Sequence, residues 1–582
     1  MKKYISKYIF LYLLLSAFFV GNAIAQKTQI PLRFDKYYTY GEVVEAVKAL
    51  NLAYPDLTKA VVVGKSEENR EIWALEINNP KTGKAEEKPG VYVDANIHGN
   101  EIQAGEVALY FADYLLKNYG KLKDVTDVVD RNAYYIIPVV NVDGRYHFMT
   151  DGNSMNSNRS LRISRDDDKD GLFDEDMYDD LNGDGNITQM RKKVEGGNYR
   201  LDAEDQRIMV RIKDGEKGNY VLLGQEGIDN DNDGKINEDT EGFVDPNRNW
   251  GSNWQPNYVQ RGAGDFPFSA VGLKSIADYI GKHENIIIIY AFHNNGGMYL
   301  RGPSTKEGEP LNAADIAVYD VLGKNAEKIV PGYRYLVSWK DLYATYGDFT
   351  DFTYDAFGAY GFVGELFQRE TETYTKEAKK EQGEESGFGR GENYPREREL
   401  LDFNDHLAHG SLFADWKPFK HPVYGDIEIG GWVKYSSRMP HTFMLPDLVH
   451  RNASAVIYAA SQTPDVSMEI FKTEKIGNNL NRIYVRLRNS RAISSMTAQA
   501  AKEKLYPQDM LKLKGAKVVA GGKLINQYTA EIQFKEYKPE VQFLTVPGYS
   551  TVEYAFIVEG KGTIEISYES RKAKDVKQQM KL

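Results

Sequence analysis

Four short, nearly unbroken apolar runs punctuate the first two-thirds of the chain: VYVDA (91–95), AYYIIPVV (133–140), NIIIIYAF (285–292) and FVGELF (362–367). Runs of this length suit strands buried on both faces, as in a sheet with helices on each side. Between them the period lengthens. Tyr40–Tyr54 reads as a helix stopped by Pro55, and Gln103–Asn118 and Val271–His283 also read as helices. Such alternation predicts an α/β domain. From about Gln462 the texture changes to strict alternation, in MEIFKTEKI, RIYVRLRN, YTAEIQFKEY, VQFLTV, VEYAFIVEG and GTIEISYES, with turn residues between them. This pattern predicts an all-β, sandwich-like domain over 462–570, followed by a Lys-rich, flexible tail at 571–582 that frays. Two stretches interrupt the α/β pattern of 26–461. Residues 151–245 are rich in Asp, Gly and Asn, and 370–399 is a charged, Gly-containing stretch that reads as a surface insertion.

The first residues belong to neither domain. Met1–Ala25 carries Lys2, Lys3 and Lys7, an apolar run from Tyr8 to Val20, and Ala23-Ile24-Ala25 before Gln26. This is the layout of a secretory signal peptide with a small-residue cleavage site. A membrane anchor is the competing explanation, but the run is short for a span of about 20 residues. The mature chain is expected to be exported, periplasmic or secreted, with no membrane span after cleavage. Losing three lysines and no acids takes the formal charge from −11 to −14. Nucleic acid is excluded as a partner on that ground, because phosphate binding needs a basic surface. The chain has no cysteine, so long loops must be ordered by packing or by metal.

His98-Gly99-Asn100-Glu101 directly follows the first of the apolar strands. A His and a Glu three apart can converge on one metal if the loop curls, and a His₂Glu set with one open position is a standard catalytic zinc arrangement. A third ligand and a base are then needed, each at its own strand end. His293 follows IIIIYAF directly, and His147 is the one serious alternative. Ligands gathered at the carboxyl ends of strands are expected of a site on an open α/β sheet. Glu365 lies inside GFVGELF, where a carboxylate either pairs with a cation, for which Arg369 is near in sequence, or serves as a base with a raised pKa.

The HGNE segment resembles the HxxE zinc motif of the M14 zinc carboxypeptidases, and the stretch from Tyr38 to Glu365 resembles that family's catalytic domain. The resemblance implies a zinc carboxypeptidase-like fold, a mixed, mostly parallel sheet flanked by helices. It implies one catalytic zinc on His98, Glu101 and His293, with Glu365 as the general base that activates water for hydrolysis of peptides. Asp245-Pro-Asn-Arg-Asn-Trp250 matches the family's D-x-N-R-N-W segment, which implies that Asn247 and Arg248 hold the substrate's terminal carboxylate. Asn158-Arg159-Ser-Leu-Arg162 resembles the family's N-R-x-x-R segment, which implies an oxyanion role for Arg162 and a substrate-side place for Arg159. Tyr343, 22 residues before Glu365, matches the family's mobile Tyr that closes over substrate. Thr350 matches the pocket floor, with Asp348 nearby. One position departs from the pattern: Asn100 stands where the family often has an Arg that grips substrate. The expected activity is removal of C-terminal residues from peptides. A hydrolase of cell-wall peptides or another amide, and a peptide-binding protein without turnover, are the other functions this pattern allows. An intact base beside an intact ligand set speaks against the last.

The Asp-rich stretch holds three near repeats, beginning at Asp166, Asp180 and Asp229. Each has oxygen side chains at loop positions 1, 3, 5 and 9 and Gly at 6, the start of a calcium loop. The ligand sets so implied are Asp166, Asp168, Asp170 and Asp174; Asp180, Asn182 and Asp184; and Asp229, Asp231, Asp233 and Asn237. The Glu of position 12 is missing, replaced by Met177, Arg191 and Thr240, although Asp176 and Asp239 at position 11 could substitute. A solvated acidic surface is the alternative. Structural Ca²⁺ would order the insertion that separates Arg162 from Arg248.

Overall fold

A computed structural model describes residues 32–368 and 394–582, apart from 167, 168, 170, 214, 309 and 437. The expected signal peptide and most of the 370–399 insertion lie outside the described residues. The helices are α1 (Tyr40–Ala53), α2 (Gln103–Asn118), α3 (Lys123–Arg131), α4 (Val142–Thr150), α5 (Val271–Lys282), α6 (Ala313–Ile329), α7 (Phe349–Phe357), α8 (Tyr394–His406), α9 (Leu445–Ser461) and α10 (Ala498–Glu503). The first strands are β1 (Thr58–Lys65), β2 (Glu71–Ile77), β3 (Gly90–Ala95) and β4 (Ala133–Ile137). After an excursion, β9 (Ile286–Asn294), β10 (Met298–Arg301), β11 (Arg334–Val337) and β12 (Tyr360–Leu366) complete an eight-stranded sheet in the order β1-β2-β4-β3-β9-β12-β10-β11. Neighbours from β4 through β3 and β9 to β12 run parallel, and β1, β2 and β10 pair antiparallel with their neighbours in β2, β4 and β12. The apolar runs read from the sequence are the central strands: every residue of β3, β4 and β9 is buried. A strand in this position has no polar face to show, which is why its sequence does not alternate.

The excursion is more ordered than its composition predicts. β5 (Gln189–Lys193), β6 (Tyr199–Leu201), β7 (Met209–Arg211) and β8 (Tyr220–Gln225) join β13 (Phe413–His421) and β14 (Gly425–Trp432) in a six-stranded antiparallel sheet. The Asp-rich insertion is thereby tied to the chain that follows β12.

From Val466 the chain forms two antiparallel sheets from β15 (Val466–Gly477), β16 (Leu480–Asn489), β17 (Asp509–Lys514), β18 (Lys517–Asn526), β19 (Glu531–Phe534), β20 (Val541–Leu544), β21 (Thr551–Glu559), β22 (Thr563–Glu569) and β23 (Val576–Lys581), in the orders β15-β16-β21-β18-β19 and β20-β17-β22-β23. Ile483 and Val485 of the first face Leu511 and Ile566 of the second in one shared core. The expected fraying tail is corrected here. Val576–Lys581 is the edge strand β23, paired with β22 along its length, and Val576 and Met580 pack against the shared core. Its lysines alternate with inward residues, so the charge marks an exposed edge.

This β-rich part is anchored to the catalytic sheet. The Lys572 ammonium, buried, donates to Ile286 O (2.6 Å) and to Phe357 O at the end of α7 (2.7 Å). Buried Asp315 of α6 accepts from the Tyr354 and Tyr360 hydroxyls and from Ala498 and Gln499 N–H at the start of α10. Gly358 closes α7 at φ 55°, and a Cβ there would meet Ala500 Cβ at 2.6 Å. The close approach requires glycine.

The loop between β3 and α2 is set from beneath by Arg145 of α4, fully buried. Its guanidinium donates to Asn96 Oδ1 (2.9 Å), Ile102 O (2.8 Å), Tyr38 O (3.0 Å from Nε) and Glu106 Oε1 (2.7 Å). Asn96, at φ 57°, passes the constraint on through Nδ2 to the carbonyls of His98 (2.6 Å) and Gly99 (3.2 Å). Gly99 lies against Gly144, where a Cβ would come within 2.6 Å of the backbone. Arg145→Met strips Glu106 of its counter-charge and leaves carbonyls unpaired, so it should cost about 3–5 kcal/mol of stability in urea unfolding. Arg145→Lys should recover little, since one ammonium cannot span these acceptors. An unchanged midpoint for Arg145→Met would remove the brace from the account.

Candidate active site

The ends of β3 and β9 bring three carboxylate and imidazole side chains to one point. His98 and Glu101 lie on the loop after β3, and His293 is near the end of β9. All three are buried, and they offer ligand atoms that lie within 4.8 Å of one another. His98 Nδ1 is 2.9 Å from Glu101 Oε1, and His293 Nδ1 is 3.2 Å from Glu101 Oε2. Glu101 Oε2 and His293 Nε2 have no hydrogen-bond partner despite burial. Burial alone would raise the Glu101 carboxyl, but His98 and His293 hold it well below the usual range. A buried anionic oxygen without a donor, between two imidazoles, suits a divalent cation, and the His₂Glu donor set suits zinc. His147, the alternative ligand, is elsewhere, with Nδ1 on Asp151 and Nε2 on Glu68.

Glu365 sits on β12 opposite His293 in the parallel register. Its carboxyl lines the same pocket and is pushed up to about 7 by burial, opposed by His293 and reinforced by Glu101. The two carboxylates thus diverge, one held ionised between imidazoles and the other poised to take a proton. Arg369, its sequence neighbour, lies outside the described residues.

Asp245, the first residue of D-x-N-R-N-W, was given no role of its own in the sequence. Its Oδ1 is 3.1 Å from His98 Nε2, and its Oδ2 accepts from Arg159 Nε (3.1 Å) and Nη2 (2.7 Å). Burial would raise this carboxyl, yet Arg159, Arg248 and His98 keep it well below the usual range. Asp245 therefore orients the imidazole from behind, the task a carboxylate performs for a metal-bound His. The Asp of the motif was the available signal.

Arg162, expected at the oxyanion, is not among the residues that line this pocket. Its guanidinium lies among Glu68, Asp151 and Glu241 at 3.7–4.0 Å and donates to Glu241 O. Arg159 instead lines the pocket, with Nη2 2.9 Å from His98 Nε2. Asn247, Arg248, Tyr343, Asp348 and Thr350 all line the pocket as expected. Asn247 Oδ1 accepts from Phe349 N–H (2.9 Å), and Tyr343 is half exposed. Asp348 spends both oxygens locally, on Asp351 N–H at the start of α7 and on the Thr345 hydroxyl. Asn100, buried, donates to Asn156 O and is engaged in bracing the adjacent loop. Arg438, on the segment before α9, also lines the pocket, and nothing in the sequence marked it.

A second cavity of about 510 Å³ shares Arg159, Arg248 and Tyr343 with this pocket. Tyr178, Thr240 and Phe243 of the Asp-rich insertion form part of its wall. In the repeats, Asp168 and Asp170 lie outside the described residues. The first and third loops share left-handed backbone at positions 4, 6 and 9, namely Lys169, Gly171 and Asp174, and Asn232, Gly234 and Asn237. In all three loops the leading Asp accepts from the Gly N–H at position 6. Asp229, Asp231 and Asp233 bring carboxylate oxygens within 4.8 Å of one another. Asn182 accepts from Asp184 N–H, and Asn237 Nδ2 donates to Gln225 O.

Residues 43–382, more than half of the chain, match the zinc carboxypeptidase family, peptidase M14. Residues 465–581 match a domain of unknown function, DUF8731. Human carboxypeptidase D is 35% identical over 122 residues, 21% of this chain and 9% of that protein. Human mast cell carboxypeptidase A is 29% identical over 136 residues, 23% of this chain and 32% of that protein. The matched stretches span from about a tenth to a third of these relatives' lengths. Among solved structures, carboxypeptidase A from Helicoverpa armigera aligns over 63% of this chain and 73% of its own, at 20% identity and a TM-score of 0.40. No helix of the described residues is long and apolar enough to cross a membrane.

Asp245→Asn should loosen a divalent metal at His98 by about 10–100-fold, measured by competition with a chromophoric chelator. Unchanged affinity would exclude the orienting role.

Proposed function

The chain belongs to the zinc carboxypeptidase family, and on that premise we propose that it removes C-terminal residues from peptides. The observation that carries this is the buried His98–Glu101–His293 set facing the raised carboxyl of Glu365, with Arg248 in the same pocket. Zinc held by that set would supply a polarising charge for the scissile carbonyl and would lower the pKa of attacking water to about 7. Glu365 takes the proton from that water and returns it to the leaving amine. Arg159, in place of Arg162, faces the developing oxyanion from the His98 side, its position fixed by Asp245. Asn247 uses Oδ1 on Phe349 N–H, so its amide N–H₂ is the group offered to a substrate carboxylate beside Arg248. Tyr343, half exposed between the two cavities, can close over that end of the substrate. The leader Met1–Ala25 supports export, with a mature chain beginning at Gln26.

Purified mature protein, its first residue checked as Gln26, should bind about one zinc and release the last residue of a peptide with a free carboxylate. The same peptide amidated at its C terminus should resist. Glu365→Gln should keep zinc while kcat falls by about 10²–10⁴-fold. Full activity in that variant, or equal cleavage of the amidated peptide, would sink the proposal.

The third Asp loop supports a structural calcium site on Asp229, Asp231 and Asp233. Buried Asp176 adds a carboxylate oxygen, Oδ2, that has no partner, while its Oδ1 accepts from Asn230 of that loop. Burial raises the Asp176 carboxyl, and Asp231 and Glu238 add to it. A divalent cation would relieve this crowding of like charge. Protein stripped of metal and reloaded with zinc alone should gain several degrees of melting temperature on titration with Ca²⁺, and Asp231→Asn should lose most of that gain. A flat titration would leave the loops as solvated acidic surface.

A further inference from the structure

The segment that carries Arg438 is held firmly over the metal cluster. Met439 packs with Ile102 and Phe148, and the Tyr37 hydroxyl donates to Pro440 O (2.6 Å). The Arg438 carbonyl accepts from Gln103 Nε2 (3.2 Å) and Asn294 Nδ2 (3.0 Å), side chains that adjoin Glu101 and His293 in the sequence. Among the described residues its guanidinium makes one hydrogen bond, from Nη2 to Asn294 O (3.0 Å). The one carboxylate oxygen within 4 Å of it among those residues, Glu101 Oε1, is 3.9 Å away, too far for a hydrogen bond, and the side chain remains 36% exposed. A guanidinium carries five N–H donors, and this one lines the pocket with most of them unspent among the described residues.

The other guanidiniums nearby are spoken for. Arg145 is sealed with Glu106, Arg162 sits among three carboxylates, and Arg159 is locked to Asp245. Among the described residues, Arg248 is the pocket guanidinium without an ion pair, and the proposed function assigns it the terminal carboxylate, while Arg438 has the single long contact to Glu101. Arg159 and Asp245 flank the cluster at His98, and Arg248 follows Asp245 in the chain, whereas Arg438 flanks the cluster at Glu101. A peptide laid across the cluster with its carboxylate on Arg248 therefore presents its acyl side to Arg438.

Resting on the carboxypeptidase reading, we propose that Arg438 is a substrate-binding residue that selects an acidic side chain immediately N-terminal to the scissile bond. The preferred substrates are peptides whose penultimate residue is Asp or Glu. The side-chain carboxylate supplies the bidentate partner that Arg438 lacks among the described residues.

Two hexapeptides that differ only in Glu or Gln at the penultimate position test this. The zinc-loaded wild type should favour the Glu peptide by about tenfold in kcat/KM. Arg438→Ala should bring the Glu-to-Gln ratio of kcat/KM to about one, chiefly through KM of the Glu peptide, while Arg438→Lys should keep part of the preference. Equal losses on both peptides, or no preference in the wild type, would overturn the role of Arg438 and leave the carboxypeptidase reading standing. Calorimetric titration of both peptides into the zinc-loaded proteins makes the same comparison without turnover. If neither peptide is cleaved, tighter, Arg438-dependent binding of the Glu peptide upholds the specificity while the hydrolytic reading fails. Equal binding of the two overturns it.

Discussion

A guanidinium taken fully out of water is tolerated only when its charge is neutralised and its N–H groups all find acceptors. Arg145 meets both conditions, and the way it does so determines the geometry above it. Its acceptors are the Tyr38 carbonyl at the entrance to α1, Asn96 and Ile102 at the two ends of the metal loop, and Glu106 in the first turn of α2. Four separate pieces of chain are thus referred to one planar group. Asn96 then fixes the carbonyls of His98 and Gly99. The direction in which His98 and Glu101 leave the loop is set before any metal arrives, so a cation meets ligands that need little ordering.

Above that brace, the electrostatics depend on separating carboxylates that lie close together. Glu101 is stabilised as an anion by two imidazoles, and Asp245 by two guanidiniums and His98. Glu365 has burial against it and a neighbouring anion besides, so the same side-chain type carries a proton into neutral pH. Position in the sheet causes the difference. Glu365 is on a central strand with Met298 and His293 as lateral neighbours, and the pull of His293, Arg438 and Arg159 does not offset its burial.

The central strands were legible because a strand buried on both faces must be apolar throughout. The metal set was legible because its residues stand at the ends of those strands. Which of Arg159 and Arg162 lines the pocket was not legible, for a physical reason. They lie on irregular chain, where a spacing of three does not dictate which side chain turns inward, and the partners that decide it, Asp245 and Glu241, come from some 80 residues away. Arg438 had no local signal at all, since its place is set by Gln103 and Asn294. The last strand was misread because its lysines were weighed by charge. Their alternation with Val576, Gln578 and Met580 is what pairs it to β22.

The β-rich C-terminal part bears on the pocket through α7. One end of that helix is the pocket wall, where Asp348 caps it and Thr350 lines the floor. The other end is held by the C-terminal part: Lys572 takes the Phe357 carbonyl and the Thr497 hydroxyl takes that of Gly358. A cation at a helix C terminus also opposes the partial negative charge there. Asp315 adds a second tie, because the carboxylate that receives Tyr354 from α7 also caps the start of α10. A helix fixed at both ends cannot tilt without breaking one set of bonds. The pocket wall at Asp348 and Thr350 is therefore braced through α7 by its contacts with the C-terminal part.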